Sequence, residues 1–285
     1  MPVSGGRLSV GRWGSGPKLV LAAHGLTGNH HSFGGMAAEL GSDFSVVAPD
    51  LRGRGRSAGV GGPYGIDVHA DDLMAVLDQL EIGTAVLAGH SMGGFVITSA
   101  AVRHPERVTN LVLIDGGIPL DMKAPAGLSV EEIIRLVVGP ALDRLDVRFP
   151  FADAYLDFWR QHPAIGPYWN QTAEETYLYD LVGDAPNLRS SVVKEAVLGD
   201  GSSQMDGGES SLSNAKQPIT FLWAERGMLD QAPGLYTPEV VESWTKRVRQ
   251  LRAVAIEDVN HYTILLSDHG AKAVASAVEE ATTGL

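Results

Sequence analysis

The chain has 285 residues, 44% of them hydrophobic and 20% charged, which suits one large globular domain or a domain carrying an insertion. Its 34 acidic residues exceed 22 Lys plus Arg, a formal charge of -12, and no basic cluster interleaved with aromatics occurs; nucleic acid and anionic membrane surfaces are poor partners for such a chain. Cysteine is absent, so a disulfide framework, a thiolate metal site and a cysteine nucleophile are all excluded.

The first residues, Met1 to Gly16, lack the charged and apolar regions of a secretory signal, and no apolar run approaches the roughly 20 residues needed to cross a bilayer. The expectation is a soluble, cytoplasmic protein. In chain order, apolar β-rich runs at Lys18 to Ala23, Phe44 to Ala48, Thr84 to Ala88 and Val108 to Ile114 alternate with helical patterns. Asp67 is the expected N-cap of a helix reaching towards Leu80, and a second helix runs from Ser91 to His104 and stops at Pro105. Strand and helix in alternation predict a mostly parallel central sheet with flanking helices, an α/β fold.

After Asp115 the pattern changes. Residues 118–214 read as several helices broken by Gly and Pro, such as Ser129 to Val138 and Phe151 to His162, with no buried-strand signal. Strands return at Ile219 to Trp223 and Ala253 to Ile256, each followed by a helical segment, Pro238 to Gln250 and Gly270 to Ala281. The expected organisation is therefore a core of residues 1–117 and 215–285 with a helical cap, 118–214, inserted into it. No internal repeat is evident, and the oligomeric state is left open.

Gly89-His90-Ser91-Met92-Gly93 falls between a predicted strand and a predicted helix, the context that a Gly-x-Ser-x-Gly nucleophile elbow requires. A serine on so tight a turn leaves room for little beyond glycine two residues to either side. The following helix directs its free amides and its dipole at Ser91, and Met92 would supply one amide to a developing oxyanion. The bland alternative is a glycine-rich turn with a surface serine.

With these residues in view, the sequence resembles the α/β-hydrolase superfamily over nearly the whole chain outside its helical middle. The resemblance implies that His24-Gly25-Leu26-Thr27-Gly28 is the oxyanion loop, with Leu26 as second backbone donor. It also implies a scaffolding role for Pro49-Asp50-Leu51-Arg52-Gly53-Arg54-Gly55-Arg56-Ser57. A nucleotide reading of Gly53, Gly55 and Gly59 fails, because their spacing misses Gly-x-Gly-x-x-Gly and no Walker lysine follows any glycine loop.

A serine hydroxyl needs an imidazole to take its proton. Of nine histidines, His261 follows the last predicted strand by a short loop, where the resembled family keeps its base. His24 and His90 are motif neighbours, His30 and His31 open a helix beside the entrance, and His69, His104, His162 and His269 read as solvated helix positions. No histidine pair has the His-Glu-x-x-His spacing of a zinc site, so no metal or other cofactor is implied.

The acid departs from the common pattern. Where most relatives carry an aspartate after the strand Ile219 to Trp223, this chain has Gly227 in Ala224-Glu225-Arg226-Gly227. Asp115, at the end of the preceding core strand, is preferred as the residue that orients His261; Asp230 is the alternative and Glu225 a third. An aspartate at a strand end can equally cap its own turn, in which case Asp230 takes the role.

The cap aromatics Phe151, Tyr155, Phe158, Trp159, Tyr168, Trp169, Tyr177 and Tyr179 are expected to form its small core and in part to face the pocket. No Arg or Lys stands out as a carboxylate clamp. The expected activity is a carboxylesterase-like serine hydrolase acting on an uncharged, mainly apolar ester through an acyl-enzyme. Lactonase, thioesterase, carbon-carbon bond hydrolase and cofactor-free perhydrolase chemistries share the same triad, and a small-molecule receptor is the alternative of another class. Epoxide hydrolases and haloalkane dehalogenases use an aspartate nucleophile and do not fit Ser91.

Overall fold

The computed structural model describes residues 1–120 and 127–283. Seven strands form the central sheet: β1 (Val10–Gly14), β2 (Lys18–Ala23), β3 (Phe44–Pro49), β4 (Ala85–His90), β5 (Val108–Ile114), β6 (Ile219–Arg226) and β7 (Leu251–Asn260), in the spatial order β7-β6-β5-β4-β2-β3-β1. All neighbours are parallel except β1, which runs antiparallel to β3 with Trp13 opposite Val46. Strands β3 and β4 are buried along their whole length, as expected where helices cover both faces of a parallel sheet.

The period of two sorts the side chains between those faces. Leu21, Val47, Leu87, Leu111 and Phe221 join one apolar cluster with Leu73, Leu77, Ile97 and Trp244, which belong to α1 (Ile66–Gln79), α2 (Met92–Arg103) and, further along the chain, a helix over Pro238–Arg247. Val20, Val46, Val86, Val112 and Ile114 join another with Phe33, Met36, Val274 and Val278, the last two from a helix over Asp268–Thr282.

Between β5 and β6 the described residues carry α3 (Val130–Val138), α4 (Ala152–Arg160), α5 (Gln171–Asp180) and α6 (Lys194–Asn214). Helix α3 opens on the Ser129/Glu132 capping box, a device worth about 1 kcal/mol. The helices share an apolar cluster that includes Leu142, Tyr155, Leu156, Trp159 and Tyr177 and reaches Met228 and Leu266 of the sheet layer. Helix α6 bridges the two parts, with Val197 in this cluster and Leu212 in the core cluster beneath α2. Residues 121–126, inside the expected cap, lie outside the described residues. Two very short strands, Leu181–Val182 and Arg189–Ser190, pair within this region.

Two expectations are corrected here. Asp67 lies in the first turn of α1, and its N-cap is Gly65 at φ 144°. Histidines 69 and 162 are buried rather than solvated. Strand β1 and the hairpin Pro2–Val3/Gly6–Arg7 were not expected, because they are short, interrupted by glycine and half exposed.

Candidate active site

Ser91 stands between β4 and α2 at φ 55° and ψ -121°, a region that L residues occupy only when the surroundings over-determine it. Those surroundings are backbone. A Cβ at Gly89 would lie 2.3 Å from the Gly93 oxygen, one at Gly93 would lie 1.9 Å from the Ala23 oxygen, and one at Gly116 would lie 2.1 Å from the Ser91 oxygen. The glycine requirement read from the pentapeptide thus has a steric cause, and Gly116 extends it to the loop after β5.

The Ser91 amide donates to the Ile114 oxygen at 3.0 Å. Among the described residues, neither the Leu26 nor the Met92 amide has a hydrogen-bond partner. Met92 is the first residue of α2, whose N-terminal amides have no acceptor within the helix. Leu26 belongs to the loop after β2, fixed by His24. The His24 Nε2 atom accepts from the Leu51 amide at 2.9 Å, so its Nδ1–H donates to the Gly25 oxygen at 2.8 Å. Burial, only partly opposed by Asp50, lowers the His24 pKa to about 4 and keeps that ring neutral.

His261 is buried directly after β7, and its Nδ1 lies 2.6 Å from Asp115 Oδ2. Asp115 is fully buried at φ 43°, and its Oδ1 accepts from the Ala224 amide of β6 at 3.0 Å. Asp230 instead accepts from Arg226 Nε at 2.9 Å, Asn260 Nδ2 at 2.9 Å and Tyr168 Oη at 3.1 Å. Glu225 accepts from the exposed Asp258 amide. The Gly227 amide donates to the Gln231 oxygen, so the position that lacks an acid closes a turn.

His90 donates from Nε2 to the His261 carbonyl at 2.8 Å, and the two rings lie 4.7 Å apart between centroids. Burial first, and then the nearby His261, lower the His90 pKa to about 3, so His90 is a neutral strut. His30 opens a short 3-10 turn and gives its ring to Asp50 at 2.7 Å. The same carboxylate accepts from the Arg56 amide and Tyr179 Oη, so Asp50 ties this loop to α5. His30 and His31 do not line either cavity at Ser91.

Two cavities meet at Ser91. The first, about 80 Å³, is lined by Ser91 and His261 together with Asn29, Arg144, Trp159 and Tyr177. The second, about 510 Å³, is lined by Ser91 with Phe95, Leu120, Ile134, Val137 and Leu235, but not by His261. Of the aromatics expected in a cap, Trp159 and Tyr177 line the first cavity, stacked on each other at 4.2 Å, whereas Phe151 is exposed. Arg144 had no sequence signal, being one arginine in a helical stretch. Its buried guanidinium lies 3.4 Å from Asp180 and donates to the Thr27 oxygen at 2.9 Å.

Among the described residues no group of acidic or histidine side chains is arranged to hold a metal ion. No helix among them is long and apolar enough to cross a membrane.

Comparison with known proteins agrees with this architecture. "Lipase LipV" of Mycobacterium tuberculosis is 34% identical over 208 residues, 64% of this chain and 77% of that protein. The 2-(acetamidomethylene)succinate hydrolase of Mesorhizobium japonicum is 37% identical over 108 residues, 38% of each chain. The crystal structure of an E-2-(acetamidomethylene)succinate hydrolase superposes with a TM-score of 0.78 at 20% identity, covering 96% of this chain and 94% of that one. A family model described as alpha/beta hydrolase fold matches residues 18–267. The chain belongs to the α/β-hydrolase family.

Proposed function

We propose that the protein is a serine hydrolase that cleaves an uncharged carboxylic ester through an acyl-enzyme, with Ser91 as nucleophile, His261 as base and Asp115 as the acid that orients it. The observation that carries this reading is the buried Asp115–His261 pair at 2.6 Å, at a cavity that Ser91 also lines. With Nδ1 committed to Asp115, the free Nε2 of His261 takes the Ser91 proton as Oγ attacks the ester carbonyl. The Leu26 and Met92 amides, without other acceptors among the described residues, receive the negative charge on the carbonyl oxygen.

Collapse of the adduct breaks the carbon–oxygen bond, and the departing alkoxide takes the proton back from the imidazolium. Water, deprotonated by the same ring, then attacks the acyl carbon and releases the acid and Ser91. The pairing of Arg144 with Asp180 leaves no unmatched charge on that side chain for a carboxylate, which supports a neutral substrate. A fluorophosphonate should label the protein at Ser91 in competition with p-nitrophenyl acetate. Absence of both labelling and turnover in the intact protein would overturn the reading.

A further inference from the structure

The two cavities divide the substrate between them, and their sizes differ about sixfold. In the tetrahedral adduct the carbonyl carbon carries four groups. The Ser91 oxygen and the oxyanion are fixed by the elbow and by the two amides. The departing oxygen must lie against the imidazole, because it leaves with the proton that His261 returns. The acyl chain takes the remaining direction, away from that ring.

Only the smaller cavity is lined by both Ser91 and His261, so the departing alcohol belongs there. Its charged and amide groups are satisfied internally, while the neutral donors Trp159 Nε1 and Tyr262 Oη are buried there without a partner among the described residues. Asn29 donates to the Thr176 oxygen and accepts from the His31 amide, Ser32 donates to the Asn29 oxygen, and Arg144 faces Asp180. No unpaired charge there matches a charged leaving group, its two free donors suit a neutral alcohol oxygen, and about 80 Å³ holds no extended one. The larger cavity begins at Ser91, runs between residues 115–120 after β5 and helices α3 and α6, and is walled by Phe95, Leu120, Ile134 and Val137, with Gln204 and Asp206 of α6 in its polar part. A flexible apolar chain removes those side chains from water at about 25 cal/mol per Å² buried.

Resting on the serine-hydrolase reading, we infer that the preferred substrates are esters joining a long apolar acyl chain to a short alcohol, with the acyl chain in the cavity walled by Val137 and Ile134. Methyl nonanoate and octyl acetate are isomers that differ only in which side of the ester carries the chain, so the pair isolates this choice from general hydrophobicity. Methyl nonanoate should have the higher kcat/KM by at least about tenfold, the discrimination that a misfitting apolar group commonly gives. Val137→Trp, which narrows the larger cavity, should lower kcat/KM for methyl nonanoate at least about tenfold relative to that for methyl acetate. Equal or reversed preference between the isomers, with labelling at Ser91 intact, would overturn the division of the cavities and leave the hydrolase reading standing. An unchanged chain preference in the folded Val137→Trp variant would do the same. Loss of Ser91-dependent turnover on every ester would remove both.

Discussion

Asp115 and His261 are 146 positions apart in the chain, yet their side chains meet at 2.6 Å across the end of the strand that separates them. Strand β6 lies between β5 and β7, and Asp115, just past the end of β5, spans it by accepting from the Ala224 amide at Oδ1 and from His261 Nδ1 at Oδ2. Asp115→Asn should keep the fold, because the amide oxygen can still accept from Ala224. It should lower ester kcat by about 10³ to 10⁴, since an amide favours the wrong imidazole tautomer and cannot stabilise imidazolium. Asp230→Asn should leave kcat within an order of magnitude and act chiefly on the melting temperature. Steady-state kinetics with thermal melts decides between them, and the reverse pattern at equal stability would move the acid to Asp230.

Ser91→Ala should abolish fluorophosphonate labelling and reduce ester turnover by at least about a thousandfold, because members of such a triad act as a unit. Burst kinetics supply a second readout: the native enzyme should accumulate acyl-enzyme and the variant should show no burst. Labelling that survives in the variant would place the nucleophile elsewhere.

Gly93→Ala tests the elbow without touching a reacting group. Its methyl would stand 1.9 Å from the Ala23 oxygen and 2.9 Å from the His24 oxygen, and main-chain atoms of the sheet cannot rotate away. Overpacking of this kind costs about 1 to 3 kcal/mol or more. Any relief has to push β2 and the loop after it away from Ser91, so kcat should fall by more than the melting temperature alone would suggest. A variant with normal kcat would mean that the loop tolerates the displacement.

The placement of Ser91 and His261 was legible because its signals are local. A strand, a five-residue turn and a helix carry the elbow, and a strand end carries the histidine. Asp115 was legible only as a preference, since the sequence does not say which carboxylate crosses β6. The buried states of His69 and Arg144 were not legible at all. His69 sits in a helical pattern that reads as solvated and Arg144 carries no signal, and each is buried against a partner distant in sequence, Asp200 for His69 and Asp180 for Arg144. Edge strand β1 was hidden for the opposite reason: Val10–Gly14 is half exposed and has no apolar run to announce it.

Asp200 anchors α6 to the sheet layer. It accepts from the buried Arg54 guanidinium and from His69 Nε2 at 2.9 Å, and all three side chains are excluded from solvent. Asp200→Leu leaves the Arg54 charge buried without its counter-ion and should destabilise the fold by about 3 to 5 kcal/mol. Urea denaturation of the two proteins measures it. A loss below about 1 kcal/mol, the range of exposed pairs, would show that solvent reaches Arg54.

Acid should destabilise the protein well before its carboxylates become protonated, and the cause lies in three buried histidines. Burial lowers the pKa of His24 to about 4 and of His90 to about 3, while burial and then Arg144 lower that of His162 to about 4. In the unfolded chain these rings titrate near the ordinary value of about 6.5. Their folded values are depressed, so between about 6.5 and 4 the unfolded state binds protons that the folded state refuses. Stability is therefore complete above pH 6.5 and declines as pH falls, by at most about 1.4 kcal/mol per pH unit for each ring. Below the folded values the difference no longer grows. Asp200 adds to the same trend at lower pH: burial raises its pKa, but Arg54 and His69 together outweigh that and hold it below the usual carboxylate value. Urea midpoints measured from pH 8 to pH 4 should be flat above about 6.5 and fall steeply below it, with a shallower slope for His162→Phe. A midpoint independent of pH across that window would mean that the folded protein takes up protons on these rings as readily as the unfolded chain does, and the neutral states of His24 and His90 would go with it.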